Sequence, residues 1–208
     1  MNRVLLSTAY LAPIQYYTKL LNYDESIIEM YENYPKQTYR NRCSIYGANG
    51  LLELSIPVKK IQTKTKTKDI TIDYATNWQK MHWKSIESAY RSSPYFEYYS
   101  DEFLPFYTSK TKYLVDYNSE IQTIVLNILG ITTNIRFTED YFVNKDSEYI
   151  DFRESINPKK KFSDDCFIPV EYIQVFSNKS GFIANLSIID LVFNTGPDAY
   201  EILKKSIC

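Results

Sequence analysis

The sequence predicts an α+β domain built on a mixed sheet, with an opening β-α-β unit, an antiparallel hairpin extension and covering helices from the C-terminal half. Three observations predict it. The first residues alternate between apolar strand-like runs and one amphipathic helix, "YRNRCSIYGANGLLELSIPVKK" carries a hairpin signal, and from Asn77 onward the apolar period becomes helical. With 208 residues and 44% apolar content, the chain buries a substantial core as one domain, residues 1–208.

"RVLLSTAYL" reads as a strand, "IQYYTKLLN" as a helix behind Pro13, and "ESIIEMYE" as a second strand. A helical crossover makes those two strands parallel. The hairpin then turns at Gly47-Ala48-Asn49-Gly50, with Asn-Gly at its tip, and "KDITIDY" reads as a further strand. "WQKMHWKSIESAYRSSPYFEYY" and "NSEIQTIVLNILG" are helical, the latter capped by Asn118 or Ser119 and stopped by Gly130. "TNIRFTE" is a late strand. "NLSIIDLVFNTGPDAYEILKK" gives two closing helices parted by Gly196-Pro197.

Charge excludes several function classes. Twenty-four basic side chains against 25 acidic ones set up no field for nucleic acid or an anionic membrane. "TKTKTK" (63–68) and "NPKKKF" (157–162) read as solvated basic loops. No apolar run is long enough to insert in a membrane and no signal-peptide pattern opens the chain, so a cytoplasmic location is expected. Cys43, Cys166 and Cys208 lie far apart without a CxxC pair; with a single histidine, this predicts a reducing compartment and no metal site. No P-loop, GxGxxG, nucleophile elbow or paired-carboxylate signature is present, and the sequence assigns no cofactor.

Four places carry polar groups that a core does not need. At 100° per residue, Trp78, His82, Trp83, Ile86, Ala89 and Tyr90 share one helix face, while Lys80, Lys84, Glu87 and Arg91 take the other. His82, the sole imidazole, therefore points inward, either into a satisfied core pocket or onto the wall of a site. On the "NLSIIDLVFNTGP" wheel, Ser187, Asp190 and Asn194 form a narrow polar stripe on an almost wholly apolar helix. That stripe meets either solvent or an internal cleft, where the Asp190 carboxyl is the group whose pKa shifts. Arg40 and Arg42 fall on one side of an extended strand around Asn41, suited to a phosphate or to surface ion pairs. Tyr10 ends the first strand.

"AYLAPIQYY", "YRNRCSI" before "LSIPV", "HWKSIESAYRSSPYF", and "YIQVF" followed by "NLSIIDLVFNTG" together resemble the WbqC-like family across essentially the whole chain. The resemblance implies a role in bacterial surface-polysaccharide (O-antigen) biosynthesis. It implies an enzyme that modifies an activated amino sugar by acyl or aminoacyl transfer, or else a non-catalytic sugar- or nucleotide-binding accessory protein. The expected partner is a small-molecule sugar or nucleotide-sugar. His82 and Asp190 are the candidate catalytic pair, with His82 as base and Asp190 orienting it or binding an amine. Tyr10, Arg40, Asn41, Arg42, Trp83, Tyr90, Asn185, Ser187 and Asn194 are the candidate binding residues. Many family members carry a His-Gln-Pro before the Tyr-Leu-Pro. Here Leu6, Ser7, Thr8 and Ala12 stand instead around Tyr10 and Leu11, so chemistry resting on that first histidine does not transfer.

Overall fold

The computed structural model describes residues 2–61, 63–143, 148–159 and 164–208. Among them, strand β1 (Arg3–Ser7) leads through helix α1 (Ile14–Asn22) into β2 (Glu25–Glu29), which pairs with β1 in parallel. Val4, Leu5, Leu6 and Ile28 are almost wholly buried, as expected of parallel strands covered on both faces. The two strands are shorter than their apolar runs, because from Thr8 the chain turns away and packs as loop.

The hairpin is β3 (Arg42–Gly47) against β4 (Gly50–Ser55), in a register that pairs Gly47 with Gly50. Ala48 and Asn49 form its two-residue turn, and Gly50 follows at φ 101°, a conformation open to a residue without Cβ. It stands as a two-stranded sheet of its own rather than extending the first. Helices α2 (Trp78–Tyr90), α3 (Phe96–Thr108) and α4 (Leu114–Leu129) follow. The stretch read as one helix over 78–99 breaks after Tyr90, and the run of α3 beyond Tyr99 was not anticipated from the sequence. Helix α4 begins a turn before Asn118, whose buried side chain donates to Thr8 Oγ1 and the Arg40 carbonyl instead of capping. Gly130 stops that helix in the left-handed region, φ 65°.

The expected strand over "KDITIDY" is a 3-10 turn, Thr67–Asp69, followed by single bridges from Thr71 to Tyr113 and from Ile72 to Val58. Its apolar residues bury against isolated neighbours, and no continuous ladder forms. The basic run is not wholly solvated either. Thr67 is fully buried, and the segment hydrogen-bonds back to Met30, Glu32 and Tyr34. The second basic run, 157–162, lies partly outside the described residues.

Strand β5 (Asn134–Phe137) joins β2 in parallel, and the two-residue β6 (Ile150–Asp151) joins β1 in parallel, giving the order β5-β2-β1-β6. The chain thus leaves β1 toward one side of the sheet and returns to its other side with β6. At the carboxyl ends of β1 and β6, the place where open parallel sheets characteristically bind ligands, Leu6, Ser7, Arg40, Phe152 and Arg153 leave a space of only about 10 Å³. A short helix α5 (Ser177–Ser180), helix α6 (Ile188–Thr195), a 3-10 turn over Gly196–Asp198 and helix α7 (Ala199–Lys205) complete the fold. A Cβ on Gly196 would come within 2.5 Å of the Tyr95 ring, so the break between the closing helices is also a point of close packing. No helix among the described residues is long and apolar enough to cross a membrane.

Candidate functional site

Between the start of α1, the hairpin, the turn after β6 and the strip before α6 lies a cleft of about 680 Å³. Gln15 at the start of α1, Tyr39, and Ser44 and Glu53 of the hairpin form one wall. Ser155, Asn157 and Pro158 after β6, Asp164, Phe167 and the Ile183–Leu186 segment form the rest. Leu51 adds an exposed apolar rim.

A chain of hydrogen bonds fixes the floor. Asn185 sits in the left-handed region at φ 55°, which asparagine tolerates, and its Oδ1 accepts the Gln15 backbone N–H at 2.9 Å. Its Nδ2 donates to Gln15 Oε1, and Gln15 Nε2 donates to Asp164 at 2.6 Å. The Lys19 ammonium, 1% exposed, closes the chain on both Asp164 oxygens at 2.7 and 2.9 Å and also donates to the Cys166 carbonyl. Since the Leu186 carbonyl accepts Ile14 N–H, residues 185 and 186 occupy the free amides of α1. Those are the donors that bind phosphate in nucleotide-binding sheets.

Ser155 Oγ is buried beside this cleft and finds no hydrogen-bond partner among the described residues. Burial pushes the Tyr39 phenol up to about 12, so it meets a ligand as a neutral hydroxyl.

Of the residues singled out from sequence, Asn185 alone lines this cleft. His82 does point inward, but into the core. Its Nδ1 lies 3.1 Å from the Tyr10 hydroxyl, which lies 2.8 Å from that of Tyr107, and its ring packs edge-on against Trp78. Burial lowers its pKa to about 4, and a hydrogen bond to the Ser55 backbone opposes that fall only in part. The imidazole is neutral at physiological pH. Trp83 packs between Phe96 and Tyr107.

Asp190 does not orient His82. Its Oδ1 accepts from the Tyr90 hydroxyl at 2.9 Å, and its Oδ2 accepts from Tyr172 at 2.6 Å and Gln174 at 2.9 Å. No cation faces it among these partners. Burial raises its pKa, and the three donors limit the rise. Gln174 in turn clasps both the N–H and the carbonyl of Ile183, so the buried carboxyl braces the cleft wall from behind.

The polar stripe splits rather than facing one place. The Ser187 hydroxyl donates to the Leu11 carbonyl, and Asn194 donates to the Asp190 carbonyl one turn back. The two arginines also part. Arg40 lies in a turn before β3 and holds Glu32 with two hydrogen bonds, at 2.6 and 2.7 Å, while Arg42 opens β3 and pairs with Glu53 across the hairpin. Asn41 donates to the Ile56 carbonyl. The shared-face geometry expected for a phosphate grip is absent because the strand begins only at Arg42.

Sequence reasoning missed Gln15, Lys19, Tyr39, Glu53 and Asp164. A lysine and a glutamine on the buried face of α1 were legible signals. Asp164 stands in an irregular segment and had none.

Sequence comparison adds to this geometry. The family model described as "WbqC-like protein family" matches residues 8–163. The chain belongs to the WbqC-like family. An uncharacterized protein of Mycobacterium tuberculosis (strain ATCC 25618 / H37Rv), Rv1507c, is 25% identical over 228 residues, covering 98% of this chain and 98% of its own. No solved structure matches. In this WbqC-like chain, Gln15, Tyr39 and Ser155 fall within the family segment. The Ile183–Leu186 wall falls beyond it.

Proposed function

We propose that this protein binds a saccharide carrying an amino or acylamino group in the cleft between the start of α1, the hairpin and the Ile183–Leu186 strip, as a step of bacterial surface-polysaccharide assembly in the cytoplasm. The observation that carries this reading is the chemistry of the lining. Amides, hydroxyls, carboxylates and the faces of Tyr39 and Phe167 match sugar hydroxyls and the apolar face of a pyranose ring. The Ser155 Oγ, without a partner among the described residues, is a donor and acceptor suited to a ligand group.

The same lining disfavours a nucleotide in the cleft itself. Lys19, Arg40 and Arg153 are each held by carboxylates, and the amides of α1 are already capped by Asn185 and Leu186. The diphosphate of an activated sugar would lie at the rim, where Arg42 rests on the half-exposed Glu53.

Acyl or aminoacyl transfer to the amine, implied by the family resemblance, is the second reading. It requires a proton acceptor beside the amine. Both Asp164 oxygens are occupied by Gln15, Lys19 and the Cys166 amide, which leaves Glu53, half exposed and paired with Arg42 through Oε2, as the accessible carboxylate among the described cleft residues. His82 then has no part in the site, and Asp190 acts only by bracing the cleft wall through Gln174.

Thermal-shift and calorimetric titration with a free amino sugar, its N-acetyl form, the matching nucleoside-diphosphate sugar and the nucleotide alone tests both readings. The sugars are expected to raise Tm, and Tyr39→Ala is expected to abolish the rise while leaving the fold intact. Stabilisation by the nucleotide alone, or by none of the four, overturns the proposal. Consumption of an acyl donor that Glu53→Gln blocks without loss of sugar binding would establish the transfer reading.

A further inference from the structure

The three cysteines, far apart in the chain, do not stay apart in the fold. The Ile168 backbone N–H donates to the Ser206 carbonyl at 2.9 Å, laying the segment after Asp164 beside the end of α7. Two residues back on one segment and two forward on the other, Cys166 and Cys208 come side by side, and Cys208 is the largest influence on the Cys166 thiol. Both are free, Cys166 half-buried and Cys208 exposed, so a soluble oxidant reaches them. Tyr23 packs against the same spot and feels Cys166, Asp164 and Cys208 together. Cys43 is the internal contrast. It is 1% exposed in β3, and burial holds its thiol far above the ordinary range, so it neither ionises nor meets reagents.

We infer that Cys166 and Cys208 are a redox modification site, a dithiol that closes to a disulfide and fastens the end of α7 to the Asp164–Phe167 wall of the cleft. Contact with Cys208 and burial raise the pKa of the Cys166 thiol, and the Lys19 ammonium, which donates to the Cys166 carbonyl, opposes that rise only in part. With a low-molecular-weight disulfide as oxidant, the Cys166 thiolate attacks one of its sulfurs and releases one small thiol. The Cys208 thiolate then attacks the Cys166 sulfur of the mixed disulfide and releases the second. The protein loses two protons and two electrons, and the small disulfide is reduced to two thiols.

The consequence is local. Asp164 holds Gln15 and Lys19 and, through Gln15, Asn185, so a bond two residues away restrains the carboxylate on which the cleft floor depends. This inference stands whether or not the cleft binds a sugar.

The test incubates the full chain with glutathione disulfide, maps thiols and disulfides by mass spectrometry without reduction, and follows hydrogen exchange of the oxidised and reduced forms. Expected are a Cys166–Cys208 cross-linked peptide within one chain, an unmodified Cys43, and slower exchange at Ile168 after oxidation. Cys166→Ser and Cys208→Ser variants each retain glutathione on the surviving thiol. Stable glutathione adducts on both cysteines of the wild-type chain, or cross-links only between chains, overturn the site. A correct cross-link with unchanged exchange at residues 166–168 overturns its action on the cleft wall.

Discussion

Asn185 and Gln15, 170 positions apart, bind each other reciprocally: Asn185 Oδ1 accepts the Gln15 backbone N–H at 2.9 Å, and Asn185 Nδ2 donates to Gln15 Oε1 at 3.2 Å. Asparagine here caps a helix that its own segment does not belong to, and it tolerates the left-handed backbone that aims it there. Asn185→Ala removes the cap and strains the backbone, an expected loss of about 1–2 kcal/mol by chemical denaturation. Asn185→Asp keeps the acceptor at a helix N-terminus and is expected to restore most of that stability. Equal losses in the two variants would contradict the capping role.

The Lys19–Asp164 pair lies almost wholly out of water. Breaking it from one side strands a buried charge, so Lys19→Met and Asp164→Asn are each expected to cost about 3–5 kcal/mol. The double variant should cost much less than the sum. Additive losses in a double-mutant cycle would show that the two groups are not coupled.

Asp190 is bound by three neutral donors and its carboxyl titrates above the ordinary range. The folded state therefore holds this proton more tightly than the unfolded chain does. Its contribution is fully present below the ordinary carboxylate pKa and is lost as pH rises through the raised one. Asp190→Asn should flatten that part of the stability–pH curve and stay within about 1 kcal/mol of wild type at neutral pH. Asp190→Ala, which strands Tyr90, Tyr172 and Gln174, should cost about 2–4 kcal/mol. A harmless alanine variant would refute the bracing role.

For His82 the sign reverses. Burial depresses its pKa from 6.5 to about 4, so the folded state holds fewer protons, and stability present above pH 6.5 is lost as pH falls toward 4. The shift corresponds to about 3 kcal/mol. His82→Gln should remove this acid-sensitive segment, cost about 1–3 kcal/mol at pH 7 through its Tyr10 contact, and leave ligand binding in the cleft unchanged. Loss of binding without loss of stability would return His82 to the wall of a site.

The elements that one segment writes by itself were legible. Helix α1, the hairpin around Gly47–Gly50, the Gly130 stop and the break at Gly196 follow from period, turn chemistry and the residues that tolerate left-handed backbone. The inward face of α2 was legible for the same reason, since 100° per residue needs no neighbour to be true. Strand β6 was not, because two residues carry no period and pair only when β1 is there to receive them.

The candidate site belongs to the tertiary structure. Its walls come from α1, the hairpin, the turn after β6 and the strip before α6, and nothing local at Asp164 announces that Lys19 and Gln15 will meet it. The sequence determined that polar groups on the apolar face of a helix, His82 among them, had to be buried. Which partners satisfy them was decided by the fold, because a hydrogen bond depends on a distance of about 3 Å between atoms, and remote segments acquire such distances only when the core between them has packed.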